Sequence, residues 1–265
     1  MKTLLLINPR SGGGSPDAEE LRAEAEAREI ATRLLGPGDD PAKVARESRA
    51  DVVGVAGGDG SLAPVAEVAV ATGRPFVCVP FGTRNHFARD LGLDRDDPVA
   101  ALDAFGGEEL RIDVGRVGER LFLNNVSLGA YAALVHRRER HRRRRGLLAR
   151  ARALLMVVRR RPEAVLLLEG VPLQARVVLV ANNAYRLELF DVGERPSLTE
   201  GKLYLYTARG VLPTAWEERA VERLTLDSPD GRVAAAVDGE AAELEPPLEL
   251  RIEPRALRVL LPPRT

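Results

Sequence analysis

Apolar and polar positions alternate in two different rhythms along this chain. In the first hundred residues, short apolar runs are separated by amphipathic stretches. Thr3–Ile7, Val52–Ala56 and Phe76–Val79 are continuous apolar segments, the pattern of strands buried on both faces. Ile30–Leu35 reads as a further short strand. Between them, Pro16–Arg28 is rich in Ala, Glu and Arg and predicts a helix. Asp39 or Asp40 can cap a second helix that has Pro41 in its first turn and runs to about Arg49. Leu62–Ala71 and the segment that follows Asn85 through Leu91 predict two more. Strands joined through helices require crossovers, which imply a parallel sheet covered on both faces.

After Glu108 the rhythm changes. Arg111–Gly115, Arg120–Asn124, Ala164–Glu169, Leu173–Ala181, Leu203–Thr207, Arg219–Leu226, Arg232–Val237, Leu248–Ile252 and Leu257–Leu261 read as short strands. Turn residues separate them: Gly118, Gly170-Val171-Pro172, Ser228-Pro229-Asp230-Gly231 and Glu245-Pro246-Pro247. Successive strands with few helices predict an antiparallel sandwich. The exception is Arg140–Arg161, which reads as helix. The expected fold is therefore an N-terminal open parallel α/β domain over residues 1–108 and a C-terminal antiparallel β-sandwich over 109–265, with the break at Gly106-Gly107.

Composition narrows the function. The 265 residues carry 39 basic and 39 acidic side chains, a formal net charge of zero, which argues against a protein that coats nucleic acid. The single cysteine, Cys78, rules out a disulfide framework or a thiolate zinc site and is read as a small buried apolar residue. The three histidines have no ligand spacing. Leu4–Ile7 is too short for a secretory leader, and no apolar run approaches the roughly 20 residues of a membrane span. A cytoplasmic location is expected.

Charge is nevertheless uneven. Arg137–Arg161 holds twelve arginines against one acid, Glu139. Leu147, Leu148, Ala151, Leu154, Leu155 and Val158 recur there at helical spacing. One reading is a basic amphipathic helix that visits an anionic membrane surface. The other is a helix that packs its leucines on the protein and solvates its arginines. No stacking aromatics or reader motif accompany the run, so nucleic acid is not the expected partner.

The candidate chemistry lies in three loops and one late turn. Gly57-Gly58-Asp59-Gly60-Ser61 follows a buried strand and opens a helix, where aligned N–H groups attract phosphate. An acid there is unexpected for a loop that only binds anions. The plain alternative is a tight strand-to-helix turn with Asp59 as a cap. Asn8-Pro9-Arg10-Ser11-Gly12-Gly13-Gly14 and Pro80-Phe81-Gly82-Thr83-Arg84-Asn85 follow two other parallel-strand candidates, so all three loops share one rim of the sheet. Asp238-Gly239-Glu240 follows the strand ending at Val237; it is either an acid pair facing a cleft or an ordinary hairpin turn.

The blocks NPRSG, GGDGS and PFGTRNHFARDLG together resemble the catalytic domain of the diacylglycerol kinase and sphingosine kinase superfamily, particularly its bacterial soluble lipid kinases. The similarity continues through IDVGRV (Ile112–Val117), FLNNVSLGA (Phe122–Ala130), VLVANN (Val178–Asn183), EGKLYLY (Glu200–Tyr206) and DGE. The GGDG turn is shared with NAD kinases, and the later blocks favour the lipid-kinase branch. The resemblance implies phosphoryl transfer from ATP, with Mg²⁺, to a lipid alcohol such as a diacylglycerol. It implies that Asn8, Ser11 and Gly12 line the nucleotide pocket and that Gly57, Gly58, Asp59, Gly60, Thr83 and Asn85 hold the nucleotide and its phosphates. It assigns Asp238 as general base, Glu240 as its support, Asp59 to the catalytic group and Asp113 to the metal. One position departs from the family pattern: His86 stands where Asp is usual. That departure keeps two other readings open, a nucleotide- or lipid-binding relative without turnover and a kinase of a soluble acceptor.

Overall fold

The computed structural model describes residues 1–11, 15–129, 165–175, 177–188, 191–208 and 216–263. The basic segment Arg137–Arg161 and Gly12 lie outside these residues. The chain divides into two compact units, Met1–Asp113 with Pro254–Thr265, and Val114–Glu253.

In the first unit, β1 (Thr3–Ile7), α1 (Ala18–Ala27), β2 (Ala31–Leu34), α2 (Pro41–Glu47), β3 (Val52–Gly57), α3 (Asp59–Thr72), β4 (Phe76–Pro80) and α4 (His86–Asp90) alternate as the hydrophobic pattern requires. A 3₁₀ helix, Ala100–Gly106, and β5 (Glu108–Val117) follow. The strands run parallel in the order β2-β1-β3-β4, with Leu4 beside Ala31, Thr3 beside Val52 and Val53 beside Phe76. On one face Leu5, Ile7, Val77 and Val79 pack with Leu21 and Ala25 of α1 and Leu102 and Phe105 of the 3₁₀ helix. The alternate residues Leu6, Val53, Val55 and Cys78 are equally buried and point to the opposite face, where α3 contacts β3 and β4. Both faces are thus covered, the arrangement that uninterrupted apolar strands demand. Asp17 caps α1 reciprocally with Glu20, and Asp40 caps α2 with Pro41 at its first position.

The second unit is antiparallel. It begins with the end of β5 and β6 (Arg120–Phe122), and β7 (Asn125–Gly129) follows. Next come β8 (Leu167–Leu168), β9 (Val171–Pro172), β10 (Val177–Asn182), β11 (Leu187–Glu188) and β12 (Asp191–Val192). The unit continues through β13 (Leu203–Ala208), β14 (Trp216–Val221), β15 (Arg223–Asp227), β16 (Val233–Val237), β17 (Glu240–Leu244) and the start of β18 (Leu248–Leu261). One sheet has the order β14-β13-β10-β7-β16-β17. Its Val126, Leu128, Val178, Val180, Leu203 and Leu205 share a buried cluster with Phe122, Leu224, Leu226, Leu248 and Leu250 of the facing strands. This is a sandwich core, apolar on alternate residues of each inner face.

The structure corrects several expectations. The boundary is not at 108, and the chain does not stay in its second unit to the end. Leu248–Ile252 and Leu257–Leu261 are one strand, β18, whose last part returns to the first unit and places Val259 beside Phe76 of β4. Burial of Leu257, Val259 and Leu260 explains the return. Residues 253–256, the expected gap between two strands, continue as strand, and there Asp113 accepts a hydrogen bond from the Arg255 N–H at 2.8 Å, where Arg255 has φ 52°. Arg219–Leu226 divides at Glu222 into two strands of different sheets, and Asn125–Gly129 and Glu240–Leu244 are additional strands. Among the described residues, no helix is long and apolar enough to cross a membrane.

Candidate active site

The chemistry expected of this chain falls in both units, and each half is built by itself. In the first unit, β1, β3 and β4 are neighbours and parallel, so the three glycine-bearing loops leave the same edge of the sheet. They are tied together closely. The Asn8 side-chain N–H₂ donates to Ser61 Oγ at 2.9 Å, joining the first loop to the second. A Cβ at Gly57 would stand 2.7 Å from that same Ser61 side chain, and one at Gly82 would stand 2.5 Å from Gly58 Cα. Only glycine allows the backbones to approach this far. The Ser11 N–H donates to the Asn8 carbonyl at 3.1 Å, closing the first loop.

Asp59 explains itself once its partners are seen. Helix α3 begins at Asp59, three residues earlier than expected, with Gly58 as its uncapped N-terminal neighbour. The Asp59 carboxylate accepts from the backbone N–H groups of His86 at 3.3 Å and Phe87 at 3.1 Å. It therefore caps α4, and its negative charge is directed into that helix start. The contrast with α1 and α2 is informative: those helices carry aspartate caps, whereas α3 makes no side-chain cap hydrogen bond. The Ser61 N–H of α3 is taken by the Gly58 carbonyl at 2.8 Å, and the N–H groups that precede it at this uncapped start suit an anionic ligand.

Asn85 and Thr83 divide their work. Asn85 is buried at φ 49°, and its amide both accepts from the Gly82 N–H and donates to the Gly82 carbonyl, each at 2.9 Å. It shapes the loop, while Thr83 stands exposed on it. His86 is half-buried; burial, helped by Arg89 and Arg84, lowers its affinity for a proton against the opposing pull of Asp59 and Asp90. Burial, and secondarily Asp59, pushes the Cys78 thiol up, so this cysteine is an inert core residue. Asp113 is buried and holds the Arg255 N–H. Among the described residues no group of three or more His, Cys, Asp or Glu comes together as a metal cage. A Mg²⁺ ion carried on a triphosphate needs no such cage, because it takes one or two carboxylates and keeps water and phosphate oxygens as ligands.

In the second unit, Asp238 and Gly239 form a two-residue turn between β16 and β17, with φ of 51° and 81° and Val237 paired to Glu240. Positive φ at both positions is the hairpin geometry that Asp-Gly favours. The hairpin reading of this motif is therefore correct, and it does not exclude function. The Asp238 carboxylate accepts three backbone N–H groups: Leu123 at 2.8 Å, Asn124 at 2.7 Å and Asn125 at 3.1 Å. Glu240 is exposed where the hairpin leaves the turn.

The 123–125 turn is held from its other side. Arg195, 4% exposed, donates to the carbonyls of Leu123 (2.6 Å) and Asn182 (3.0 Å) and to Asn124 Oδ1 (2.8 Å). Asn182 donates to the Leu123 carbonyl as well, and Asn183 accepts from the Glu200 N–H at 2.9 Å. Tyr185 lies under the Arg195 guanidinium at 5.7 Å and accepts from the Asn125 side chain. A hydrogen bond to Glu200 pushes the Tyr204 hydroxyl up to about 12. The late sequence blocks at 123–125, 182–183, 200 and 238–240 thus meet in space. Arg195 and Tyr185 were missed, because one arginine in a chain so rich in them carries no pattern of its own.

Comparison with known proteins bears on the first unit and on the fold. The family described as diacylglycerol kinase catalytic domain matches residues 2–117. A probable lipid kinase YegS-like protein of Pseudomonas aeruginosa is 35% identical over 135 residues, 48% of this chain and 44% of its own length. A diacylglycerol kinase of Bacillus subtilis is 34% identical over 118 residues, 43% of this chain and 39% of its own length. The chain thus spans less than half the length of these relatives in the matched region. A solved diacylglycerol kinase from Bacillus anthracis shares the fold, with a TM-score of 0.69 at 16% identity, covering 98% of this chain and 96% of that one.

Proposed function

Because residues 2–117 match the diacylglycerol kinase catalytic-domain family, we propose that the whole chain transfers the terminal phosphoryl group of ATP to a lipid hydroxyl. The observation that carries this reading is the uncapped start of α3 within three loops tied by Asn8–Ser61 and Gly58–Gly82. Backbone N–H groups at Gly57–Gly60 take the phosphates, Asn8 and Ser11 shape the nucleotide side, and exposed Thr83 adds a hydroxyl donor. Magnesium, arriving with the nucleotide, neutralises charge on the phosphates.

Within the second unit, the Asp238–Glu240 hairpin carries the acids proposed to serve the acceptor hydroxyl. Asp238, with three backbone N–H groups on its two oxygens, fixes the hairpin. Asp238 and the exposed Glu240 beside it are the two acids proposed to orient or take the hydroxyl proton. Arg137–Arg161 brings the protein to anionic lipid. The test is ADP release from ATP and Mg²⁺ across a panel of lipid alcohols in mixed micelles. Wild type should show lipid-dependent release, and Glu240→Gln should lower it by about 100-fold or more. Release that no lipid stimulates overturns the reading.

A nucleotide-binding relative without turnover is the second reading. It is favoured by Asp59 and Asp238 both being committed to backbone N–H groups. Nucleotide binding with no turnover on any lipid, and its restoration by His86→Asp, selects it.

A further inference from the structure

We propose that Arg195 is the positioning residue of the Asp238–Glu240 hairpin and acts through the peptide group between Leu123 and Asn124. The inference rests on the hairpin serving the acceptor hydroxyl. The Leu123 carbonyl and the Asn124 N–H are the two ends of one peptide group. At its oxygen, the Arg195 guanidinium donates at 2.6 Å. At its nitrogen, Asp238 Oδ1 accepts at 2.7 Å. A cation, a peptide dipole and an anion therefore stand in series, each strengthening the next hydrogen bond in a buried setting.

The rest of the geometry makes this coupling stiff. Arg195 also holds Asn124 Oδ1 at 2.8 Å and the Asn182 carbonyl at 3.0 Å, so its fork grips the turn and the end of β10 together. The Asp238 N–H returns a bond to the Asn125 carbonyl at 2.9 Å, closing the hairpin against the same turn. A planar guanidinium can satisfy three acceptors at once, and an ammonium on a flexible stem can satisfy only some of them. Arg195 touches no reacting atom; it sets where the turn, and through it the hairpin, stands.

The test compares Arg195→Met and Arg195→Lys with wild type in the full-length protein. Two readouts are taken: hydrogen exchange of the Leu123, Asn124 and Asn125 amides, and kcat and KM for ATP in the lipid assay. In Arg195→Met, exchange at Leu123 and Asn124 should rise at least tenfold while the Leu5–Ile7 amides keep their wild-type rates. Its kcat should fall at least tenfold with KM for ATP within twofold, and Arg195→Lys should recover part of both effects. Should Arg195→Met fail to fold, the lysine variant decides on the same two readouts. Unchanged exchange at Leu123 and Asn124 overturns the coupling. An unchanged kcat with a lower urea midpoint overturns positioning in favour of a plain structural staple. Wild-type protein without lipid-dependent release defeats the kinase reading instead, and the exchange readout then still decides whether Arg195 and Asp238 are coupled.

Discussion

The two polar regions of this molecule are built on opposite rules. In the first unit the loop rim is made of glycine backbone, its acid is turned away to cap a neighbouring helix, and the start of α3 keeps its N–H groups uncapped. In the second unit the turn at 123–125 is saturated: its N–H groups meet Asp238 and its carbonyl side meets Arg195 and Asn182. A surface that binds a ligand must leave hydrogen-bonding capacity unspent. A scaffold that holds a group in place must leave none, since an unpaired polar group in the interior is costly. Under the proposed function, the open donors serve recognition and the closed network serves positioning.

Replacing Asp238 by Ala strikes the closed network hardest. Three N–H groups on one turn lose their acceptor, and the expected loss is about 3 kcal/mol in the urea unfolding free energy. Nucleotide binding by the first unit should survive in the same protein below its unfolding transition. If Asp238→Ala costs under about 1 kcal/mol, the turn is not held as the network suggests. Gly82→Ala tests the open side. A Cβ 2.5 Å from Gly58 Cα must push two backbones apart. The expected result is at least a tenfold weaker affinity for ATP by calorimetry, with a stability loss of about 1–3 kcal/mol. Unchanged affinity would remove the Gly58–Gly82 approach from the binding rim.

A smaller effect follows from pH. The His86 imidazole titrates near 6.5 when unfolded and lower when folded, because burial and the charges of Arg89 and Arg84 oppose protonation. Below 6.5 the unfolded chain therefore binds more protons than the folded one, and stability falls as pH drops from 6.5 through the depressed folded value. Above 6.5 His86 contributes no pH dependence. Urea midpoints measured from pH 8 to pH 5 should show this slope, and His86→Asn should flatten it. An equal slope in the variant would assign the effect elsewhere.

The open half was legible in the sequence and the closed half was only partly so. The glycine loops follow their strands directly, so contiguous residues announce them, and Asp40-Pro41 announced its helix cap. Asp59 was recognised as odd, but its partners lie 27 and 28 residues on, and no spacing rule reaches that far. The Asp-Gly hairpin was visible as a turn. What the turn's carboxylate grips was not, because Leu123–Asn125 lie more than a hundred residues away. Arg195 adopts no periodic position and was invisible. The continuity of β18 was hidden for a related reason: residues 253–256 read as a gap between strands, and the Asp113 that accepts the Arg255 N–H there lies 142 residues earlier.

The smallest stability change is also the sharpest test of the comparison. Gly58 sits at φ −84° and ψ 174°, an extended conformation open to any residue, and a Cβ there would meet Gly82 Cα at an ordinary 3.7 Å. Steric demand therefore does not explain this glycine. Serine at a helix N-cap improves on glycine by about a few tenths of a kcal/mol, because its hydroxyl accepts one of the orphan N–H groups. Gly58→Ser should thus leave the protein as stable or slightly more stable in urea. If those N–H groups serve phosphate, the hydroxyl competes with the ligand and ATP affinity falls while stability does not. A serine that stabilises α3 and leaves nucleotide binding untouched would show that the uncapped helix start is a structural accident.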